Sequence, residues 1–193
     1  MNEISPHILQ LMEGYTLPVI LVLLTLAFII YLSWGKIRHN WLNLKTRYRL
    51  NHLGIKQIYN LQCPDGLDHY FNIDRLILRQ DGITLLAHVC YPGKIFCADK
   101  IDDWTQMLGK KSYRFKNPLY DLDCQIKAVS ARVPDVPVNG FLFFDHQTEF
   151  PKGHPDRILR LKEIPDELKR NKQDEVQAKV MSAWQDLLRM AKA

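Results

Sequence analysis

From Gly14 to Gly35 the chain has no charged side chain, and before Lys36 it has no lysine or arginine at all. No acid occurs between Glu13 and Asp65. These absences exclude a good deal. A cleaved leader needs a basic start and a small-residue exit. The first 13 residues offer only Glu3 and Glu13, and "YLSWGKIR" has no such exit. A buried helix with no polar face is unusual in so small a domain. The remaining reading of "LPVILVLLTLAFIIYL" is a membrane span. Some 20 apolar residues at about 1.5 Å each match a hydrocarbon core of about 30 Å. Tyr15, Tyr31 and Trp34 sit near its ends, where amphipathic rings favour the membrane–water boundary.

Cysteine is also scarce. There are four, at 63, 90, 97 and 124, and no pair has C-x-x-C spacing, which argues against a zinc site. Low-complexity tracts and internal repeats are missing, and 47% apolar content excludes wholesale disorder.

What is present past the span is positive charge. Lys36, Arg38, Lys45, Arg47, Arg49 and Lys56 precede the first acid. Basic flanks stay on the cytoplasmic side. The expected orientation is therefore amino terminus out and the large carboxy-terminal part inside, with free thiols in a reducing compartment. Glu3 and Glu13 are the only charges before Lys36, so the remainder holds 26 basic against 19 acidic side chains, a surplus of seven. Lys36, Arg38, Lys45, Arg47 and Arg49 are the right kind of cluster for anionic lipid head groups. Lys110, Lys111, Arg114 and Lys116 form a second cluster, a candidate nucleic-acid contact or a solvated loop.

The expected order of elements begins with a basic helix, "KIRHNWLNLKTRYRLNHLG", stopped at Gly54, with Trp41, Leu44, Tyr48 and Leu53 on one stripe. "IKQIYNLQC" reads as a strand, followed by a Pro64-Asp65-Gly66 turn. "YFNIDRLIL" and "ITLLAHVC" form a hairpin around Gln80-Asp81-Gly82, and "KIFCA" follows. A loop carries Trp104 and "GKKSYRFKNPL"; "DLDCQIKAVSARV" is helical, and "VNGFLFFD" is a buried strand. From Pro165, Val176, Val180, Trp184, Leu187, Leu188 and Ala191 recur at helical spacing, as in a two-faced helix docked on the domain. The fold class is α/β. One transmembrane helix precedes an α/β sandwich with a central mixed sheet and a carboxy-terminal amphipathic helix. The segments expected are 1–14 outside, 15–34 spanning, 35–53 a basic juxtamembrane helix, 54–160 the α/β domain and 161–193 a helical tail.

In order, "NIDRLILRQDGITLLAHVCYPGKI", Trp104, "YRFKNPLYDLDCQI" and "VNGFLFF" resemble the nuclease-related domain (NERD) family, a branch of the PD-(D/E)xK nuclease-like fold. The resemblance covers about residues 50–145. It implies a hairpin aspartate, a G-hydrophobic-E-x-K strand, an N-P segment opening a helix, and a glutamate on the first helix. Asp74 matches the aspartate, and Asn117 and Pro118 match the N-P. Ala87 stands at the glutamate position and Val89 at the lysine position, while Asp121 falls where a glutamine is expected. "WLNLKTRYRLNHL" contains no glutamate.

Phosphodiester hydrolysis at such a site needs carboxylates around a divalent cation. Asp74 alone cannot supply the several oxygens a hard cation demands, so no catalytic set, metal or cofactor is assigned. Mg²⁺ enters only if an active site has migrated. Asp74 is better read as an acid paired with Arg75, Arg79 or a backbone amide. His88 reads as a sheet histidine, Cys90 and Cys97 as small apolar fillers, and Trp104, Tyr113 and Phe115 as packing residues. Asp121 and Asp123 point to different faces of one helix, which weakens a displaced metal site. The functional expectation is a non-catalytic NERD-like protein, single-pass in a bacterial inner membrane, that binds nucleic acid or a protein partner at the cytoplasmic face. Two alternatives stand beside it: a metal-dependent nuclease with a displaced site, and an accessory subunit of a membrane complex.

Overall fold

The computed structural model describes residues 6–64, 70–170 and 175–191. Two compact units divide the chain at Lys45/Thr46. The described residues of the first belong to one helix, α1, which runs Pro6–Asn51, so that its residues 46–51 belong to the second unit. From Pro18 onward α1 has an apolar window of mean hydropathy 2.2, none of it buried, making it long and apolar enough to cross a membrane.

The second unit contains two sheets. Five strands, β1 (Lys56–Pro64), β2 (Tyr70–Leu78), β3 (Ile83–Val89), β7 (Val138–Phe144) and β9 (Ile158–Leu159), lie in the order β1-β2-β3-β7-β9. The first two pairings are antiparallel, and β3–β7 and β7–β9 are parallel. Four more, β4 (Gly93–Phe96), β5 (Asp103–Leu108), β6 (Lys111–Lys116) and β8 (Thr148–Glu149), form a second sheet in the order β6-β5-β4-β8.

The architecture is thus mixed α/β, with two sheets where the sequence suggested one. The segment read as a loop around Trp104 is in fact the β5–β6 hairpin, turning at Gly109-Lys110. Its strand character was hidden because β6 is exposed at every position but Phe115, and β5 turns a polar Gln106 inward beside Trp104. Without apolar alternation, period-2 patterning has nothing to register. Gln106 is satisfied there by donating Nε2–H to the Pro92 carbonyl at 2.7 Å.

Helix α2 (Pro118–Arg132) is begun by Asn117, whose Oδ1 accepts from the Leu119 N–H at 2.9 Å. Pro118 at the first helical position loses no hydrogen bond there. The Asn117 amide also donates to the carbonyls of Asp99 and Ile101, so one buried side chain starts the helix and ties down the loop before β5. Leu119, Leu122 and Val129 face inward. Gly140 on β7 gives this face room: a Cβ there would come to 2.7 Å from Ile126 Cδ1, and the Ile126 side chain would have to shift.

Past a single 3₁₀ turn at Asp166–Leu168, helix α3 (Ala178–Ala191) buries Val180, Trp184 and Leu187 against the core that also holds Ile58, Leu61 and Leu122. The expected two-faced helix is present, beginning later than Pro165. The Pro64-Asp65-Gly66 turn falls partly outside the described residues. The five-stranded sheet is covered on both faces. One carries α2, α3 and Trp104; the other carries Leu50, Leu53, Ile164 and Leu168 over Ile77, Leu86 and Phe143. Leu53 therefore leaves the stripe to which helical spacing assigned it. α1 ends at Asn51, and Leu53 turns into the core while Trp41, Leu44 and Tyr48 stay exposed.

Candidate functional site

The β2–β3 hairpin forms as expected, with Leu76, Ile77 and Leu78 opposite Leu85, Thr84 and Ile83. Arg79 N–H donates to the Gly82 carbonyl to close the turn. Gly82 is required because a Cβ would approach the Pro137 carbonyl oxygen to 2.6 Å.

Upstream, β1 and β2 both change face at one point. The ladder pairs Tyr59 with Arg75 and resumes at Leu61 with Ile73, omitting Asn60 and Asp74. In a regular strand alternate residues share a face. Here Ile58 and Leu61 are both buried on β1, and Leu76 and Ile73 both on β2, so each strand flips between them. Asn60 absorbs the flip with φ +51°, a left-handed conformation that asparagine tolerates better than most residues. Arg75 and Asp74 are thereby turned off the main core.

The result is a cavity of about 380 Å³ lined by Tyr59, Asn60, Asp74, Arg75 and His88, with Leu50, Leu86 and Phe143 as its apolar part. Asp74 Oδ2 accepts the His88 backbone N–H at 2.9 Å, the backbone-amide role anticipated for it. The Arg75 guanidinium is committed elsewhere. Its Nη1 donates to the Leu50 carbonyl at 2.8 Å, to Gln57 Oε1 at 2.6 Å and to Asn51 Oδ1 at 3.3 Å. Its Cζ lies over the Tyr59 ring, 4.7 Å from the centroid. Gln57 Nε2 donates to Leu50 and Leu53 carbonyls. Arg75 and Gln57 together cap the carboxy end of α1, where orphan carbonyls and the negative end of the helix dipole favour a cation. Burial lowers the Arg75 pKa, and the neighbouring Tyr59 and Asp74 oppose that shift.

Ala87 and Val89 do not join this cavity. They are half-buried and pack on the α2–α3 side, beside Leu142 and Phe144 of β7 in register. His88, between them, is exposed on the other side, its ring 5.7 Å from that of Phe143. The donor set around Asp74 is thus one carboxylate already engaged at one oxygen, a guanidinium and an imidazole. These residues do not fit a hard divalent cation, which wants several oxygens. Among the described residues no group of three or more His, Cys, Asp or Glu side chains is placed to hold a metal. Asp123, one of the two helix aspartates, pairs with Arg157 at 2.7 Å.

Three of the four thiols are held in their protonated form. All four cysteines are free. Burial pushes the Cys97 thiol up to about 11, with Asp99 adding to the shift. It raises Cys63 as well, and Cys90 is raised by burial and then by Asp145. A thiol raised in this way stays protonated and inert. Cys97 is half-buried, as a filler would be, whereas Cys90 is exposed.

The second cluster lies on the β5–β6 hairpin. Lys110 is in the turn; Lys111, Arg114 and Lys116 lie on the exposed strand β6. Lys116 pairs with Asp103 at 3.0 Å, and its pKa is raised by the hydrogen bond to that carboxylate. Tyr113 is exposed beside these cations, whereas Phe115 stacks on Tyr91 and lies edge-on to buried Trp104. Of the three aromatics read as packing residues, two pack and one faces solvent. Sequence reasoning missed Asn60, Tyr59 and Gln57. The only hint was a strand, "IKQIYNLQC", whose apolar residues do not keep a strict two-residue spacing.

Comparison with curated proteins and with solved structures gives no match. The family model for the nuclease-related domain matches residues 38–145, more than half of the chain. That stretch takes in the end of α1, the β2–β3 hairpin, the Asn117-capped helix and β7, so the chain belongs to the nuclease-related domain (NERD) family.

Proposed function

We propose that this chain is a membrane-anchored NERD protein that binds nucleic acid without cutting it, through the β5–β6 hairpin. The observation that carries the non-catalytic half is the apolar, half-buried setting of Ala87 and Val89. The E-x-K positions have been absorbed into the core, and Asp74 is left serving a backbone amide. Binding needs no metal. Phosphate attraction depends on lysine and arginine, and an exposed aromatic beside them offers a stacking face for an unpaired base. The β5–β6 hairpin, at the edge of its sheet, supplies both: Lys110 in its turn, Lys111 and Tyr113 on one face of β6 and Arg114 on the other.

The test is binding of labelled single-stranded DNA and RNA by the full chain in detergent across a salt series. Lys110→Glu/Lys111→Glu/Arg114→Glu is expected to weaken binding at least tenfold and to flatten the log–log salt dependence by about two, roughly 0.7 for each of the three lost phosphate contacts on a single strand. Lys116→Glu should matter less, because that ammonium already faces Asp103. Binding that ignores salt and the triple change would favour a protein partner instead.

Anchoring rests on the uncharged length of α1 and the basic run after it. In this reading 15–34 cross a bacterial inner membrane once, the amino terminus is outside, and Lys36, Arg38, Lys45, Arg47 and Arg49 meet anionic lipid. Carbonate-washed membranes should retain the protein, and protease added to spheroplasts should spare the carboxy-terminal domain. Release into the wash, or cleavage of that domain from outside, would overturn the topology.

A further inference from the structure

Past the uncharged stretch, α1 keeps large apolar side chains on show. Trp41, Leu44 and Tyr48 are 58%, 65% and 66% exposed, and Ile37 is exposed as well, as is Trp34 at the very end of the uncharged stretch. Their spacing is regular: 34, 37, 41, 44, 48. Steps of three and four in alternation are a 3.5-residue repeat, with Trp34, Trp41 and Tyr48 at a and Ile37 and Leu44 at d. The same frame runs back through Ile30, Ala27, Leu23 and Ile20. Leu50, off the seam, is buried in the domain core.

Exposed apolar surface of this extent needs a cover. We infer that the cover is a second copy of this chain, packed in parallel along the a/d seam of α1. The inference rests on the anchored reading above, which gives two copies the same direction and depth and so puts like heptad positions level. Lipid reaches too little of the seam. Head groups add about 5–8 Å beyond the hydrocarbon on each side. In a continuous helix rising about 1.5 Å per residue, Leu44 lies roughly 15 Å and Tyr48 roughly 21 Å beyond Trp34.

Charge and area are consistent with self-pairing. Across a parallel pair, g positions face e positions of the next heptad. That sets Ser33 against Arg38 and Asn40 against Lys45, while the helix ends at Asn51, before Arg47 would meet an e position. No lysine or arginine meets another across the seam. The five side chains present roughly 600 Å² per copy, given 150–250 Å² for each aromatic. A standard interface buries about 800 Å² per partner, and the seam's continuation into the span supplies the rest. The consequence for function is bivalence: two β5–β6 hairpins held at one membrane site bind one strand with avidity.

The experiment uses the full chain, with exposed Cys90 and Cys124 changed to serine, reconstituted in phosphatidylcholine vesicles. Single cysteines are placed at the seam, Ile37→Cys and Leu44→Cys, and off it, Lys36→Cys and Arg49→Cys, then mildly oxidised. The d variants should yield at least about fivefold more disulfide-linked dimer than the others, because d side chains meet in the seam while b and c point away. Adding Trp41→Glu to Leu44→Cys should cut that dimer about tenfold, since the seam would then bury a charge. Equal cross-linking at all four positions, or none, overturns the inference. So does a Leu44→Cys that stays monomeric yet is shielded from aqueous maleimide, by lipid in these vesicles or by another protein only in native membranes. Carbonate treatment of the same vesicles separates the two readings. Release with cross-links intact defeats anchoring alone, and retention without them defeats pairing alone.

Discussion

Replacing Trp184 with alanine is expected to destabilise the domain by about 3–5 kcal/mol, the usual cost of deleting a fully buried large aromatic side chain. Trp184 is 1% exposed and lies between α3 and the main core, with Val180 and Leu187 on the same face. A cavity there loses both transfer energy and the contacts of its lining. The opposite face of α3 offers the control. Arg189 is exposed and pairs with Asp186, three residues away on the same helix, so Arg189→Ala should stay within about 0.5 kcal/mol of the parent. Urea unfolding of the full chain in detergent, followed by near-UV dichroism, compares the two. A loss below about 1 kcal/mol at Trp184 would mean that the helix adds little to the domain it rests on.

Much of the fold could be read from the chain because the physics behind it is local. The β2–β3 hairpin announced itself through a Gln-Asp-Gly turn between apolar runs, α2 through Asn117-Pro118, and α3 through the spacing of Val180, Trp184 and Leu187. The β5–β6 hairpin could not be read, since an exposed strand with inward Gln106 leaves no apolar period. The site was half legible. Asp74, Ala87 and Val89 are named by their place in the motif the chain resembles, and two of the three are apolar where that motif implies charge. What spacing could not convey is the face change at Asn60 and Asp74. It arises from a single residue in the left-handed region and turns Arg75 toward the end of α1. That contact joins residues 25 apart in sequence, and no periodic pattern encodes it.

Under the proposed reading, this member of the NERD family binds nucleic acid without the metal chemistry of a PD-(D/E)xK site. The resemblance implies four site residues, and three of them are not matched here: the first-helix glutamate, and the glutamate and lysine whose places Ala87 and Val89 take. Losing metal ligands removes the ion, and with it polarised phosphate, activated water and orientation together. The most direct measurement is cleavage of labelled DNA and RNA by the full chain with Mg²⁺ or Mn²⁺, beside the Asp74→Ala variant. No product above the metal-free background is expected for either protein, with the hairpin-dependent binding intact in both. Metal-dependent cleavage by the parent that vanishes in Asp74→Ala would contradict the claim, and would mean that a working centre has been rebuilt around that carboxylate.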